Sequence, residues 1–483
     1  MTATVFVASA LMGAGKTRGF IERIKPEDNI VLAVPTISLG DDIVKAMKLA
    51  GVNYEVLNSD ENSKGSTRSR IEYALTEGRE GCVLVITQKA LTMINADCLE
   101  GWRVVCDEVP DLNNCKISRK TPLSTYERLF KGLIQDHDDG IVSMKDGVSD
   151  TTLMDELDKS IVAGIEVATI MFAGLLERKA EVRLVLSDKD FLVTVADYHD
   201  YTKIIESCLS FHVMGNCVEK TLFYKFMVAK GCEIKESEYT PGPFKYKSSV
   251  TLIPLFNAER ISRGILELNE EGSKAIKFDE TCLGWKGMLK AVEYHKKEPV
   301  LVQCFHWMKK FPFDEHSNVI VTNFDTRGLN AYRNTHHRTI NIFHGNPNPI
   351  QARLDIKMLS LMEVDIEIGI SAIEHERFIE PMAQHIARTS IRNGLKGESI
   401  FVVLPTIGVA KKIEEALQLE CEIDPSIMLD VPEKAPTQAK IKTAERDQKI
   451  VDLSAGGLTH EEIGKELGGI STKTVQRALK KAA

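Results

Sequence analysis

Short apolar runs alternate with amphipathic stretches over the first 110 residues. Thr4–Ala8, Asn29–Val34, Cys82–Thr87 and Trp102–Cys106 are short, mostly apolar runs without a regular polar alternation. Between them, Thr17–Ile24, Asp41–Ala50 and Ser66–Thr76 carry apolar residues at helical spacing. Strands that are apolar on both faces belong inside a sheet covered by helices, so the pattern predicts a parallel α/β domain. From about 116 to 246 this regular alternation is lost. Asp155–Lys179 suggests one or two helices, and the region is expected to be a helical insertion. Within it, Phe223-Tyr224-Lys225-Phe226 could stack on bases, but it fits a buried core better.

Alternation resumes at Val250–Phe256 and continues through Pro299–Cys304, Asn318–Thr322, Arg338–Phe343 and Ser399–Leu404. The expected fold class is α/β, with two parallel-sheet domains and a small all-α C-terminus. The expected first domain takes residues 1–115 and 247–275, the insertion 116–246, the second domain 276–410 and a linker 411–440. A helical C-terminal domain then takes 441–483.

Composition narrows the class. The chain has 483 residues, enough for several cores, and a formal net charge of -8. That excludes a uniformly basic nucleic-acid coat but permits a local basic channel. Ten scattered cysteines without a C-x-x-C pair point to reduced thiols. The Met1–Ala10 segment has the character of a strand rather than a leader. Ile161–Leu176, the most apolar stretch, is short for a membrane span and carries Glu166. A cytoplasmic protein with no membrane partner is the expectation. His336-His337 has no third ligand nearby in sequence and is expected to be solvated rather than metal-binding.

Two segments carry chemistry. Ala10-Leu-Met-Gly13-Ala14-Gly15-Lys16-Thr17 fits the phosphate-loop pattern, with Ala10 in place of the first glycine. Gly13, Ala14 and Gly15 let backbone N–H groups face phosphates, and Lys16 supplies a point charge. Thr17 offers a hydroxyl to Mg²⁺ at the start of a helix. Further on, an apolar strand ends in Asp107-Glu108-Val109-Pro110. Carboxylates at the C-terminal end of a parallel strand sit where such sheets bind ligands. Asp107 is placed to hold Mg²⁺ and Glu108 to activate water.

With these motifs the chain resembles superfamily 2 helicases of the DEAD/DEAH-like type, particularly those encoded by bacteriophages. The resemblance spans roughly residues 4–405, the region after the acidic motif excepted. It implies two RecA-like domains, ATP and Mg²⁺ as cofactors, and a nucleic-acid strand as partner. Ala33-Val34-Pro35-Thr36 and Ile86-Thr87-Gln88 are similar to the motifs that touch the nucleic-acid backbone, which implies contacts at Thr36 and Thr87. Thr322-Asn323-Phe324-Asp325-Thr326-Arg327-Gly328-Leu329-Asn330 fits T-x-x-x-x-R-G-x-D/N. By resemblance, Thr322 and Arg327 meet nucleic acid while Gly328 and Asn330 meet ATP. Gln384-His-Ile-Ala-Arg388-Thr-Ser-Ile-Arg392 resembles the arginine-finger motif Q-x-x-G-R-x-x-R, with the last arginine one residue late. On a helix, Gln384, Arg388 and Arg392 would share one face, and the two arginines are alternative fingers. Pro110 stands where the named subgroups have Asp or His. The nearest candidate for the Ser-Ala-Thr motif, Thr251–Phe256, does not match it.

The C-terminus is a separate signal. Thr459 with Glu462 forms a capping-box pattern, Gly468-Gly469 a turn, and Ser471 a cap for a last helix. That helix bears Thr472, Lys473, Gln476 and Arg477, the polar and basic face of a helix-turn-helix for a DNA major groove. Ile463, Leu467, Val475 and Leu479 would be its core. The layout resembles the helix-turn-helix units of resolvases and bacterial regulators. The sequence therefore favours an ATP-dependent DNA helicase or translocase used in phage replication, working with single-stranded DNA, duplex DNA and other replication proteins. An RNA helicase, or an ATP-gated DNA-binding regulator without processive unwinding, stays open.

Overall fold

The computed structural model describes residues 3–59, 66–78, 80–137, 139–275, 277–322, 332, 334–343, 347–393, 398–432, 438–455 and 457–482. The first lobe begins with β1 (Thr4–Ser9), α1 (Lys16–Ile21), β2 (Ile30–Val34), α2 (Ile37–Leu49), β3 (Tyr54–Val56), α3 (Thr67–Thr76), β4 (Val83–Thr87), α4 (Gln88–Leu91) and β5 (Arg103–Asp107). All five residues of β2 are buried, as an apolar run covered on both faces must be.

After β5 the chain leaves the sheet. It forms β6 (Lys116–Ile117), β7 (Thr121–Pro122), α5 (Leu123–Phe130), β8 (Ile134–Asp136), β9 (Val142–Met144), α6 (Asp150–Val162), α7 (Glu166–Leu176), β10 (Glu181–Leu186) and β11 (Asp190–Ala196). Here the structure corrects the expectation of a helical insertion. β10 and β11 pair antiparallel, β6 and β7 add to β11, and the helices pack Phe130, Val167 and Phe172 against Phe191 and Val193. The helices expected over Asp155–Lys179 are present as α6 and α7, and what the sequence did not show is the sheet that they pack against.

The insertion also ends earlier than expected. α8 (Thr202–Ser207), β12 (Ser210–Gly215), α9 (Leu222–Ala229) and β13 (Glu233–Glu236) return to the first lobe. The first sheet runs in the order β13-β1-β12-β5-β2-β4-β3, so β12 lies between β1 and β5. Phe223 and Phe226 are buried in this lobe's core, which settles the aromatic run as packing.

The next strand, β14 (Ser249–Asn257), was expected to finish the first domain. It belongs instead to the second sheet, in register with β18 from Ser249↔Ser399 to Phe256↔Thr406. The remaining elements in this part are α10 (Arg263–Leu266), α11 (Leu283–Tyr294), β15 (Val300–Cys304), β16 (Val319–Val321), β17 (Arg338–Ile342), α12 (Pro349–Met362), α13 (Ile366–Glu374), α14 (Glu380–Ile386), β18 (Ser399–Thr406), α15 (Ile407–Leu417) and β19 (Glu422–Ile423). The second sheet is ordered β16-β15-β17-β18-β14-β19. The linker expected from 411 is also displaced. α15 buries Ile413, Ala416 and Leu417 in the second lobe's core, and β19 pairs with β14.

A second compact unit comprises residues 264–286 and 430–483, so 264–275 and 276–286 belong to neither sheet domain. It contains α16 (Gln438–Ala455), α17 (His460–Glu466) and α18 (Thr472–Ala482). The capping box is formed, with Glu462 N–H donating to Thr459 Oγ1 at 3.4 Å and Thr459 N–H to Glu462 Oε2 at 2.8 Å. Ser471 accepts from Thr474 N–H at 3.2 Å. Ile463, Val475 and Ala478 are buried with Ile450 of α16, and Leu467 and Leu479 pack against them. No helix among the described residues is long and apolar enough to cross a membrane.

Candidate nucleotide-binding cleft

The phosphate-loop residues follow β1 as their sequence requires. Gly13 and Gly15 both have φ of 88°, a left-handed backbone that disfavours any residue with a Cβ. Gly15 is the N-cap of α1 in that conformation, which turns the loop back over the strand end. The loop is tied down by Ala10 N–H to Gly215 O at 3.0 Å and by Tyr246 Oη donating to Met12 O at 2.8 Å. Lys16 Nζ donates to Ala10 O at 2.6 Å and Leu11 O at 3.2 Å, folded across its own loop. Burial pushes the Lys16 ammonium below the ordinary lysine range, against the raising pull of Glu380, Asp107 and Glu108.

Thr17 Oγ1 donates to Asp107, 3.2 Å from Oδ1 and 3.4 Å from Oδ2. The two side chains predicted to share Mg²⁺ are therefore adjacent. Burial raises the Asp107 carboxyl to about 6, with Lys16 and the Thr17 hydrogen bond opposing the rise. A buried carboxylate beside a hydroxyl is a hard oxygen donor pair, and it suits Mg²⁺. Glu108 follows with φ of 77°, a left-handed backbone at a non-glycine residue. Its N–H donates to Met214 O of β12 at 2.8 Å, and its carbonyl accepts from Gln88 Nε2 at 2.9 Å.

Opposite this wall stands the helical run of the second lobe. A cleft of about 600 Å³ is lined by Gly13, Gly15, Lys16, Thr17, Asp107 and Glu108 on one side and by Gln384, Arg388 and Arg392 on the other. The three distal residues meet there, but not on one helical face. α14 ends at Ile386, Arg388 lies in a turn, and Arg392 lies on a 3-10 segment, Ser390–Asn393. The i, i+4, i+8 geometry expected from sequence is thus replaced by a bent path that reaches the same cleft. Buried Thr389 donates to Ile386 O at 2.7 Å, a side-chain bond to the carbonyl where α14 stops. Arg392 packs closely over the loop: a Cβ on Gly13 would lie 3.1 Å from Arg392 Cγ. A side chain at residue 13 would make Arg392 give way by a few tenths of an ångström.

Other cleft residues had no role in the sequence reading. Gly215 and Asn216, at the end of β12, line the cleft. Asn216 Nδ2 donates to Glu380 Oε2 at 3.2 Å, linking the two lobes. The signal for them was the short strand-like run Phe211–Met214 ending in Gly-Asn, inside the expected insertion. A π-helical turn, His375–Ile379, joins α13 to α14 and places Glu376 in the cleft wall. Glu376 accepts from Leu222 N–H at 2.7 Å, and burial, with Asp111 nearby, raises its carboxyl to about 8. Arg377 is held by Asp355 at 2.9 and 3.0 Å, which fixes α12 to this turn.

The remaining predicted residues fall in three groups. Thr36 and Thr87 cap α2 and α4, accepting from Leu39 N–H at 3.3 Å and Ala90 N–H at 3.1 Å. Each hydroxyl hydrogen is still available to donate to a phosphate. Thr87 ends β4, level with Val34 of the neighbouring β2, and Thr36 follows two residues after Val34. Thr322, by contrast, is buried and donates to Val302 O at 3.1 Å, so its hydroxyl faces the sheet rather than a bound strand. Arg327, Gly328 and Asn330 lie outside the described residues. In the C-terminal unit, Thr472, Lys473, Gln476 and Arg477 are all exposed on α18. His336 departs from its expectation: it is buried and bonded to Thr335 Oγ1 at 2.8 Å, while His337 pairs with Ser390 Oγ at 2.6 Å. No group of three metal-ligating side chains occurs among the described residues.

No family model matches the chain, and no curated protein matches it. Among solved structures, S. tokodaii Xpd4 aligns with a TM-score of 0.47 at 13% identity, over 87% of this chain and 96% of that one. S. cerevisiae Dbp5 bound to RNA and ADP BeF3 aligns at 0.38 and 10% identity, over 88% and 85%. RecG bound to a three-way DNA junction aligns at 0.32 and 10% identity, over 99% of this chain and 47% of that one. At such scores the likeness carries no information about activity.

Proposed function

We propose that the chain hydrolyses ATP in this cleft and uses the cycle to move along or unwind DNA, in phage DNA replication. The observation that carries the reading is the composition of the two walls. One brings a phosphate loop, Thr17 and Asp107 together, and the other brings Gln384, Arg388 and Arg392 to face them. Those residues fit a triphosphate with its metal. Gly13, Ala14 and Gly15 would present N–H groups to the phosphates, Lys16 would leave its loop carbonyls for the outer phosphates, and Thr17 with Asp107 would hold Mg²⁺. Bound there, the metal ion neutralises charge on the phosphate oxygens.

Glu108 would orient the attacking water and take its proton, its carboxyl set at the strand end by the backbone bonds to Met214 and Gln88. Arg388 and Arg392 would stabilise charge on the transferring phosphoryl group, Arg392 from its position over Gly13. Such positioning and charge neutralisation are most of what phosphoryl transfer needs. Because the walls belong to different lobes, filling the cleft draws the lobes together and hydrolysis releases them. Thr87 at the end of β4 and Thr36 just beyond the end of the neighbouring β2 would hold the single strand being stepped along. The exposed face of α18, with Thr472, Lys473, Gln476 and Arg477, would serve duplex DNA as a helix-turn-helix. That face also supports a second reading, an ATP-gated DNA-binding regulator.

Phosphate release by the full chain, alone and with single-stranded DNA, duplex DNA or RNA, tests the proposal against Lys16→Ala. Turnover stimulated by single-stranded DNA and lost in the variant is expected. Duplex binding without stimulated turnover would leave the regulator, and stimulation by RNA alone would move the activity to RNA.

A further inference from the structure

Gln88 is a buried polar residue, 8% exposed, at the first position of α4. Its side-chain amide does not serve its own helix. Nε2 donates to Glu108 O at 2.9 Å and lies 3.5 Å from Asp107 O. The acceptor belongs to Glu108, whose backbone is left-handed although it is not glycine. That conformation costs about 1 kcal/mol or more and persists only where neighbours hold it. Its backbone is held by Glu108 N–H to Met214 O from β12 and by Glu108 O to Gln88 from α4. The peptide that aims the Glu108 carboxyl is clamped between them.

Gln88 follows Thr87 directly, and Thr87 caps the same turn through Ala90 N–H at 3.1 Å. The Gln88 side chain thus joins the Thr87 turn to the Glu108 carbonyl.

We propose that Gln88 is a positioning residue that holds Glu108 in its working backbone conformation and couples hydrolysis to occupancy of the Thr87 turn. This rests on the reading of Glu108 as the water-activating carboxylate and of Thr87 as a strand contact. No atom of Gln88 touches substrate in this role.

The test is steady-state ATP hydrolysis by the full chain carrying Gln88→Met or Gln88→Glu, with and without single-stranded DNA. Both replacements keep the length of the side chain; Met loses the donor outright, and Glu loses it when ionised, leaving a carboxylate against two carbonyl oxygens. The DNA-stimulated kcat is expected to fall about tenfold or more in each, one lost hydrogen bond to a strained peptide. KM for ATP and the Kd for DNA should stay within about twofold. In a Glu108→Gln background, Gln88→Met should cost nothing further, because the two act as one unit. Wild-type stimulation in Gln88→Met, or losses that add in the double variant, would overturn the proposal. So would a fall in kcat that only tracks a lower folded fraction, measured by circular dichroism. Wild-type protein without DNA-stimulated turnover would instead overturn the motor reading, and this inference with it.

Discussion

The two walls of the cleft are built differently. The first-lobe wall is made of strand ends: Gly13 to Thr17 follow β1, Asp107 and Glu108 end or follow β5, and Gly215 and Asn216 end or follow β12. These three strands are neighbours in one parallel sheet, so their ends are fixed by the hydrogen-bond ladder. The second-lobe wall is made of side chains along a bent helical path that changes from α to π to α and then to a 3-10 turn. A sheet edge holds backbone N–H groups and carboxylates rigidly, as phosphate binding requires. A bent helix presents long arginines whose reach follows the position of its lobe. Irregular helical turns are common at functional sites because they aim side chains that a straight helix would point elsewhere.

If that division is right, the largest effect should come from the rigid wall. Glu108→Gln is expected to lower kcat by roughly a hundredfold or more while ATP binding persists, checked by phosphate release beside equilibrium binding of a fluorescent nucleotide. Wild-type turnover in this variant would move the water-activating role off the strand end.

Next come the arginines of the bent wall. Arg392→Ala and Arg388→Ala should each lower kcat by about tenfold to a thousandfold, with a smaller change in nucleotide affinity. Arg392 should show the larger loss, since it already lies over Gly13. The reverse order would name Arg388 as the finger.

A smaller effect distinguishes the walls by pH. Burial lifts the Asp107 carboxyl to about 6, so below that pH it carries a proton that Mg²⁺ must displace. The Mg²⁺ concentration giving half-maximal turnover should therefore rise as pH falls from 7 to 5, and be nearly flat above 7. A flat titration throughout would remove Asp107 from the metal site.

The smallest expected effect concerns Glu376, whose carboxyl is raised to about 8 from an ordinary value of 4.5. The folded state then holds a proton that the unfolded state releases. Stability is fullest below about 4.5 and declines as pH rises through 8. Glu376→Gln keeps an acceptor for Leu222 N–H and removes that titration. Its melting temperature should match wild type at pH 5 and exceed it by a few degrees at pH 8.5. Equal melting temperatures at both values would place the carboxyl in a wetter environment than the cleft wall provides.

The chain itself determined whatever depends on a few consecutive residues. The strand-loop-helix at 4–21 needs only an apolar run, two glycines able to take positive φ, and a Lys-Thr pair. The pairs Thr459–Glu462 and Ser471–Thr474 needed only a side chain within reach of its own helix end. Apolar runs likewise marked the central strands, because a strand buried on both faces is mostly apolar, and the few polar residues it holds, such as Asn341 and His212, are hydrogen-bonded.

Everything that joins distant segments was decided by tertiary structure. β12 fills the place between β1 and β5 although an accessory module separates it from β5 in sequence, and β14 joins β18 rather than the first sheet. Neither choice has a local signature, because an apolar strand can pair with any other. Gln384, Arg388 and Arg392 reach one cleft without sharing a helix face, since α14 stops at Ile386. Thr322 matched a motif but turned its hydroxyl into the sheet, because a buried hydroxyl must take the nearest carbonyl. Periodicity and short motifs record the bonds a segment makes with itself, whereas partner choice between segments is settled only when their surfaces meet.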